Sequence, residues 1–266
     1  MAVYHPMLEQ YARALRDFFA RRLTGEVRAI EAVEARPYFY GCATAPFSGA
    51  TGQDLVLRVD GVETTITMTG DVGTTVVADI NAAVAAVTAS LDTQDDGQRL
   101  LIRHNTAATT SAPREIRVVG GGAAAPLGLV TGDGATEMAV PDLTRRHIHA
   151  HDPFSAGQHP VFPAIWVADR EAENRDQSNE AIWDLRTMLD VVVTANRPEV
   201  AERQIDRIAR GISQVIQTDR TIDCAVLGTF LLKRVQTPMI PSRSGEASIA
   251  AGATIELRAV YAEELS

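Results

Sequence analysis

Three of the chain's six histidines fall within five positions, in the segment Arg145-Arg146-His147-Ile148-His149-Ala150-His151-Asp152. In an extended segment side chains two residues apart point the same way, so His147, His149 and His151 could converge on one cation. Imidazoles with a carboxylate nearby are the ligand types of a zinc site that activates water, which is hydrolase chemistry. Such a centre needs ordered ligands with partners behind them. This segment instead falls in a polar connector, 135–160, with no strand before it, and only His159 follows as a further histidine. The expectation is therefore no metal and no cofactor, with the cluster a solvated linker or a subunit contact.

Other chemistries fare no better. The cluster resembles the HxHxDH signature of metallo-β-lactamase-like hydrolases, but its last two positions are exchanged and the further downstream ligands are missing. A metal-dependent hydrolase using His147–His151 stays the lesser alternative. Gly120-Gly121-Gly122 has no following lysine for a Walker loop. Pro126 interrupts the helix that a dinucleotide loop would need. Neither Ser48-Gly49 nor Arg243-Ser244-Gly245 has the G-x-S-x-G frame of a nucleophile elbow. The acidic groups Glu171/Glu173/Asp176, Asp92/Asp95/Asp96 and Glu263-Glu264 lack apolar neighbours that would raise a carboxylate pKa, so they are expected to be solvated. No catalytic constellation survives, and the chain is not expected to be an enzyme.

The 266 residues suffice for one large or two small domains, with 45% hydrophobic and 22% charged residues. No apolar run is long enough for a membrane helix, and the N-terminus does not read as a secretion signal. Cys42 and Cys224 match no metal or redox spacing, so a reduced, cytoplasmic setting is expected. The net charge of −9 argues against nucleic acid as the main partner. Positive charge is almost wholly arginine, with Lys233 the only lysine. Arginine's ion-pair geometry at subunit contacts and a GC-rich genome both account for that bias.

Several elements must position whatever the chain does. Leu8, Tyr11, Leu15, Phe18 and Leu23 predict an amphipathic helix over Pro6–Leu23, and residues 27–40 then predict a strand. From Phe47 the texture shifts to Thr, Ala, Gly and Val. DLVLRVDGVETTITMTGD predicts a hairpin turning at Asp60-Gly61. VVADINAAVAAVTASL predicts a helix with Val77, Ile80, Val84 and Val87 on one side, and RLLIRHN and REIRVVGG two strands. Residues 47–134 thus form a small α+β module inserted in an early loop of a core made of 1–46 and 135–266. In that core HPVFPAIWVAD is a strand and EAIWDLRTMLDVVVTA a longer one. The latter sets Trp183, Leu185, Leu189, Val191 and Val193 against Asp184, Arg186 and Asp190. Pro198 starts a helix to about Gln217, and CAVLGTFLLKRVQ and ATIELRAVYAEEL are strands. The expected class is α+β, a mixed or antiparallel sheet flanked by two helices, with polar loops at 169–180 and 236–252.

Two resemblances follow from these residues. LVLRVDG, DINAAVA, LLIRHN and APLGL together resemble a small module of bacteriophage tail and flagellar structural proteins. The run IWDLRTMLDVVVTANRPEVAERQIDRIARGISQVIQTDRTIDC, with TIELRAVYAEEL, resembles the tail terminator (tail completion) proteins of long-tailed bacteriophages. The resemblance covers about 6–46 and 160–264, and the 47–134 module departs from the usual compact form. It implies a structural virion protein of the tail or neck, assembled in the host cytoplasm. Such proteins form a ring, generally hexameric, that caps the finished tail tube and docks the head connector or stopper. DNA passes through the lumen without specific binding, and no membrane is involved. A neck or baseplate adaptor is the related alternative. Contacts in the ring or with the tube are expected at Glu171, Glu173, Arg175 and Asp176 in one polar loop, and at Arg243 and Glu246 in the other.

Overall fold

The computed structural model describes residues 6–94, 97–155, 157, 160–174, 181–195, 197–219, 221–222, 225–231, 240–241 and 249–263. In chain order its elements are α1 (Pro6–Glu34), β1 (Tyr38–Thr44), β2 (Asp54–Val59), β3 (Val62–Thr67), α2 (Gly73–Ala83), β4 (Val87–Gln94), β5 (Gly97–His104), β6 (Arg114–Gly120), β7 (Gly134–Glu137), β8 (Ile148–His149), β9 (Ala164–Asn174), β10 (Ala181–Ala195), α3 (Pro198–Thr218), β11 (Thr221–Ile222), β12 (Ala225–Leu231), β13 (Ile240–Pro241) and β14 (Ile249–Glu263). This is an α+β chain with antiparallel and mixed sheets. Its contacts divide it into two compact units, 1–30 with 140–266 and 31–139. Among the described residues no helix is long and apolar enough to cross a membrane.

In the first unit α1 buries Tyr11, Leu15, Phe18, Phe19, Leu23 and Val27. The expected strand over 27–40 is wrong: the helix runs on to Glu34, and β1 begins only at Tyr38. Residues after Leu23 are mostly Glu, Ala and Arg, which favour helix. Val27 and Ile30 prolong the buried stripe from Leu23 at i+4 and i+7. The same valine and isoleucine that suggested alternation are the inner face of a helix, which stops just before Pro37. From Glu31 the chain belongs to the second unit.

The sheet of the first unit has the order β11, β12, β14, β10, β9, β8, with β13 also on β14. All pairs are antiparallel except β8 with β9, so the sheet is mixed. The β10–β14 ladder carries it, in register from Ala181↔Glu263 to Ala195↔Ile249. Along β10 Leu185, Leu189, Val191 and Val193 are buried, while Arg186 is exposed and Asp184 and Asp190 are half-buried, as the alternation requires. Helix α3 opens with Pro198 in its first turn and packs on β10 and β14. Its buried stripe includes Ile205, Ile208, Ile212, Val215 and Ile216, each contributing about 1.5–3 kcal/mol. At Gly211 an added Cβ would lie 2.7 Å from Val27 Cγ2 and 3.1 Å from Leu23 Cδ1. Glycine there lets α1 approach α3 closely.

The second unit holds two sheets, β1-β5-β4 and β3-β2-β6-β7. Leu55, Leu57, Ile66 and Val118 from one sheet, Leu100 and Ile102 from the other, and Val76 and Ile80 of α2 share one core. The hairpin turns at Asp60 (φ 49°) and Gly61 (φ 84°), with Val59 opposite Val62. Two consecutive positive φ angles make the tight turn whose twist matches the strands, and the Asp-Gly pair tolerates both. The predicted helix over VVADINAAVAAVTASL is corrected: α2 ends at Ala83, and VTASLDTQ is the strand β4. Asn81 explains the switch. Its side-chain amide donates to the Ala89 carbonyl at 3.0 Å and accepts from the Ala89 N–H at 2.7 Å, holding the start of β4 as a neighbouring strand would. The predicted module 47–134 lies within this unit, which also takes in β1 through its pairing with β5.

Candidate functional site

Glu171 and Glu173, expected in a polar loop, lie instead on β9, which runs to Asn174. Poor strand propensity is overridden there by a continuous backbone ladder with β10, in which Arg186 faces Glu171 and Asp184 faces Glu173. Arg175, Asp176, Arg243 and Glu246 lie outside the described residues.

Directly paired residues share a sheet face, so Glu171 and Glu173 of β9, Asp184, Arg186 and Asp190 of β10, and Thr254, Glu256 and Arg258 of β14 line the face opposite the α3-covered one. A charge ladder crosses its three strands. Arg186 grips Glu256 with two parallel bonds, Nε at 3.0 Å and Nη2 at 3.1 Å, and reaches Glu171 at 3.5 Å. Arg258 adds a bond to Glu256 at 3.1 Å. The Arg186 bond first, then that of Arg258, holds the Glu256 carboxyl below the usual carboxylate range against the opposing effect of burial. Next along the ladder, the Thr254 hydroxyl donates to Asp190 at 2.6 Å. Glu256 is 4% exposed while the Arg186 and Arg258 side chains are about half-exposed, so the buried acid fixes the positions of two outward guanidiniums on this face.

The histidine segment is not the solvated linker expected. Ile148 and His149 form β8, parallel to β9 in register with Ile165 and Trp166, and His147 is 8% exposed. Strand pairing and the buried Ile148 pull the segment into the unit, which the histidine-rich composition concealed. The three rings take different partners. His147 Nδ1 accepts the Thr144 N–H at 3.2 Å. Burial first, with help from His149, lowers its pKa. His149 is likewise lowered by burial, against a bond to the Arg146 backbone. Its Nε2 is buried with no hydrogen-bond partner. His151 accepts from Arg170 at Nδ1, at 3.1 Å, so its Nε2 carries the proton and donates to Glu9 at 3.0 Å. Among the described residues no group of three His, Cys, Asp or Glu side chains is placed to hold a metal ion.

What the segment does form is a cleft of about 330 Å³ with one face of α1, lined by Glu9, Arg13, Arg16, Arg145, His149 and Asp152 among others. The i, i+4, i+7 spacing of Glu9, Arg13 and Arg16 put them on one helix face, a signal present in the sequence but not joined there to residues far along the chain. The charge on this face is paired: Arg13 Nε to Glu9 at 2.8 Å, and Arg16 Nε and Arg145 Nη2 to Asp17 at 2.8 and 3.2 Å. The Arg16 bond is the main cause of a lowered Asp17 pKa. At Glu9 burial pushes upward, but the bonds from Arg13 and His151 outweigh it. No family model matches this chain, and no curated protein matches it.

Proposed function

We propose that this chain is a non-enzymatic structural protein of a bacteriophage tail, one that assembles as a ring on the end of the finished tube and presents a docking surface to the head connector. The resemblance of residues 160–264 to tail terminator proteins motivates the reading. The structural observation that supports it best is the two-sided sheet of the first unit. One face is covered by α3, so the protomer has its own core, and the other carries the Glu171–Arg186–Glu256–Arg258 ladder across three strands. A ring subunit needs extended, complementary surfaces rather than a pocket, and fixed alternating charge supplies register and selectivity against wrong partners.

Electron microscopy of the purified protein alone and mixed with tail tubes tests this. Rings, alone or at tube ends, are the expected outcome, weakening as salt screens the contacts. Reversing Glu171 and Arg186 together with Glu256 should block capping while leaving a folded protomer. Attachment to the connector or baseplate without any affinity for tube ends would instead assign the chain to an adaptor. Failure to bind any tail component would overturn the proposal.

A further inference from the structure

We propose that the cleft between α1 and the histidine segment is a binding site for a phosphate group, free or carried by a small monoester. Arg13 and Arg16 each engage a carboxylate through Nε, and Arg145 engages Asp17 through one terminal nitrogen. A guanidinium has five N–H donors in a fixed fork. Among the described residues the terminal amino groups of Arg13 and Arg16, and the rest of Arg145, therefore stay available to a ligand.

The acidic groups of the lining keep their charge but are already bonded to other partners, so they do not compete for the spare guanidinium donors. Glu9 already receives Arg13, His151 and Arg170. Asp152 is taken up by its own turn, through the Phe154 N–H at 2.9 Å and the Ser155 hydroxyl. Asp17 binds Arg16 and Arg145 to a single carboxylate, which holds the two guanidiniums side by side. A second observation points the same way. His149 lines the cleft, and with its other nitrogen bonded to the Arg146 backbone its buried Nε2 is an acceptor without a partner, one that a phosphate hydroxyl can fill and an ionised carboxylate cannot.

Phosphate fits better than carboxylate because three arginines line the cleft, and a phosphate has enough oxygens to bond all of them while a carboxylate has two. The volume of about 330 Å³ is more than the ion itself fills, leaving room for the organic part of a small ester. Charge agrees: this concentration of arginine stands out in a chain of net charge −9.

Isothermal titration at fixed ionic strength tests the site with inorganic phosphate, glycerol phosphate and acetate. One saturable site per chain for the phosphates, with acetate far weaker, is expected. Tighter binding of glycerol phosphate makes the ester the ligand, and equal binding the free ion. Arg16→Gln and Arg145→Gln should each weaken binding about tenfold, as loss of a charge-assisted hydrogen bond implies. Arg21→Gln, whose Nε bonds only the Asp17 backbone carbonyl, should not. Arg145 is well exposed, and a melting curve confirms that its variant is folded. Absence of a saturable phosphate site, equal binding of acetate, or binding unchanged in both cleft variants would overturn the proposal.

Discussion

Asp60 occupies the turn of the β2–β3 hairpin, and its carboxylate ties that turn to two other parts of the second unit. It accepts the Glu115 N–H at 2.9 Å, the Arg114 guanidinium at 2.7 Å and His104 Nε2 at 3.1 Å. His104 is only 2% exposed, and its other nitrogen is held by Thr106. Burial raises the Asp60 pKa, but the Glu115 amide, Arg114 and His104 outweigh it and leave the carboxyl below its ordinary 3.8. Asp60→Asn keeps a residue that tolerates positive φ and keeps an acceptor, but removes the charge. Charged hydrogen bonds contribute about 1.5–3 kcal/mol against about 0.5–1.5 for neutral ones, so the loss should be about 2 kcal/mol. Asp60→Ala also strands the His104 nitrogen and the Glu115 amide, and should cost about 3–4 kcal/mol. Because the folded pKa is depressed, the stabilisation is complete above the unfolded value and is lost as pH falls through the folded one. Urea unfolding read by pulsed hydrogen exchange on peptides from β2, β3 and β6 reports this unit directly. The gap between wild type and Asp60→Asn should be full at about pH 7 and smaller at about pH 2. An equal gap at both pH values would refute the electrostatic account, and no gap at all would refute the network.

Three further outcomes are expected. Gly25 lies inside α1 with nothing within 4 Å of an added Cβ, so Gly25→Ala should stabilise the helix by about 0.5–1 kcal/mol, seen as a higher urea midpoint. Gly211→Ala drives a methyl against Val27 and should cost about 1–3 kcal/mol, with Val27→Ala in the same chain restoring part of it. His147 and His149 both have pKa values below their ordinary 6.5. The first unit should therefore hold its full stability above about pH 6.5 and lose it as pH falls below, where the unfolded chain takes up protons more readily. His147→Gln should flatten that slope in a series of melting curves.

How far the sequence foretold this depended on whether the deciding contact was local. The Asp-Gly turn, Pro198 and the alternation along β10 act within a few residues, and each stands where its chemistry placed it. The errors arose where distant pairing decided the outcome. Val87 and Leu91 continue a helical spacing from Ile80, yet the ladder with β5 and the clasp of Asn81 on Ala89 make them strand. Glu171 and Glu173 have poor strand propensity but are carried into β9 by β10. The histidine segment was expected to be a solvated linker, yet pairing with β9 draws it into the unit. Its three rings take different partners: Thr144, the Arg146 backbone, and Glu9 with Arg170. The cleft joins residues 9–16 to residues 145–152, a separation no local pattern spans.

The near-absence of lysine has a structural counterpart. Among the described residues of the first unit three carboxylates each receive two guanidiniums: Glu9 from Arg13 and Arg170, Asp17 from Arg16 and Arg145, and Glu256 from Arg186 and Arg258. An ammonium is a point donor that one such contact largely satisfies, whereas a guanidinium bonds a carboxylate along one edge and keeps its remaining N–H groups for another partner. The Glu9 and Asp17 trios are thus each an ion pair with one positive charge left over, held in a fixed direction by the shared acid, whereas Glu171 beside Arg186 balances the Glu256 trio. On a chain of net charge −9 the first two are oriented cationic spots on an acidic background. Both cationic trios flank the proposed phosphate cleft. Surface pairs of this kind do little for stability. Their common geometry is better accounted for by what they leave exposed, which is positive charge directed at an anionic partner.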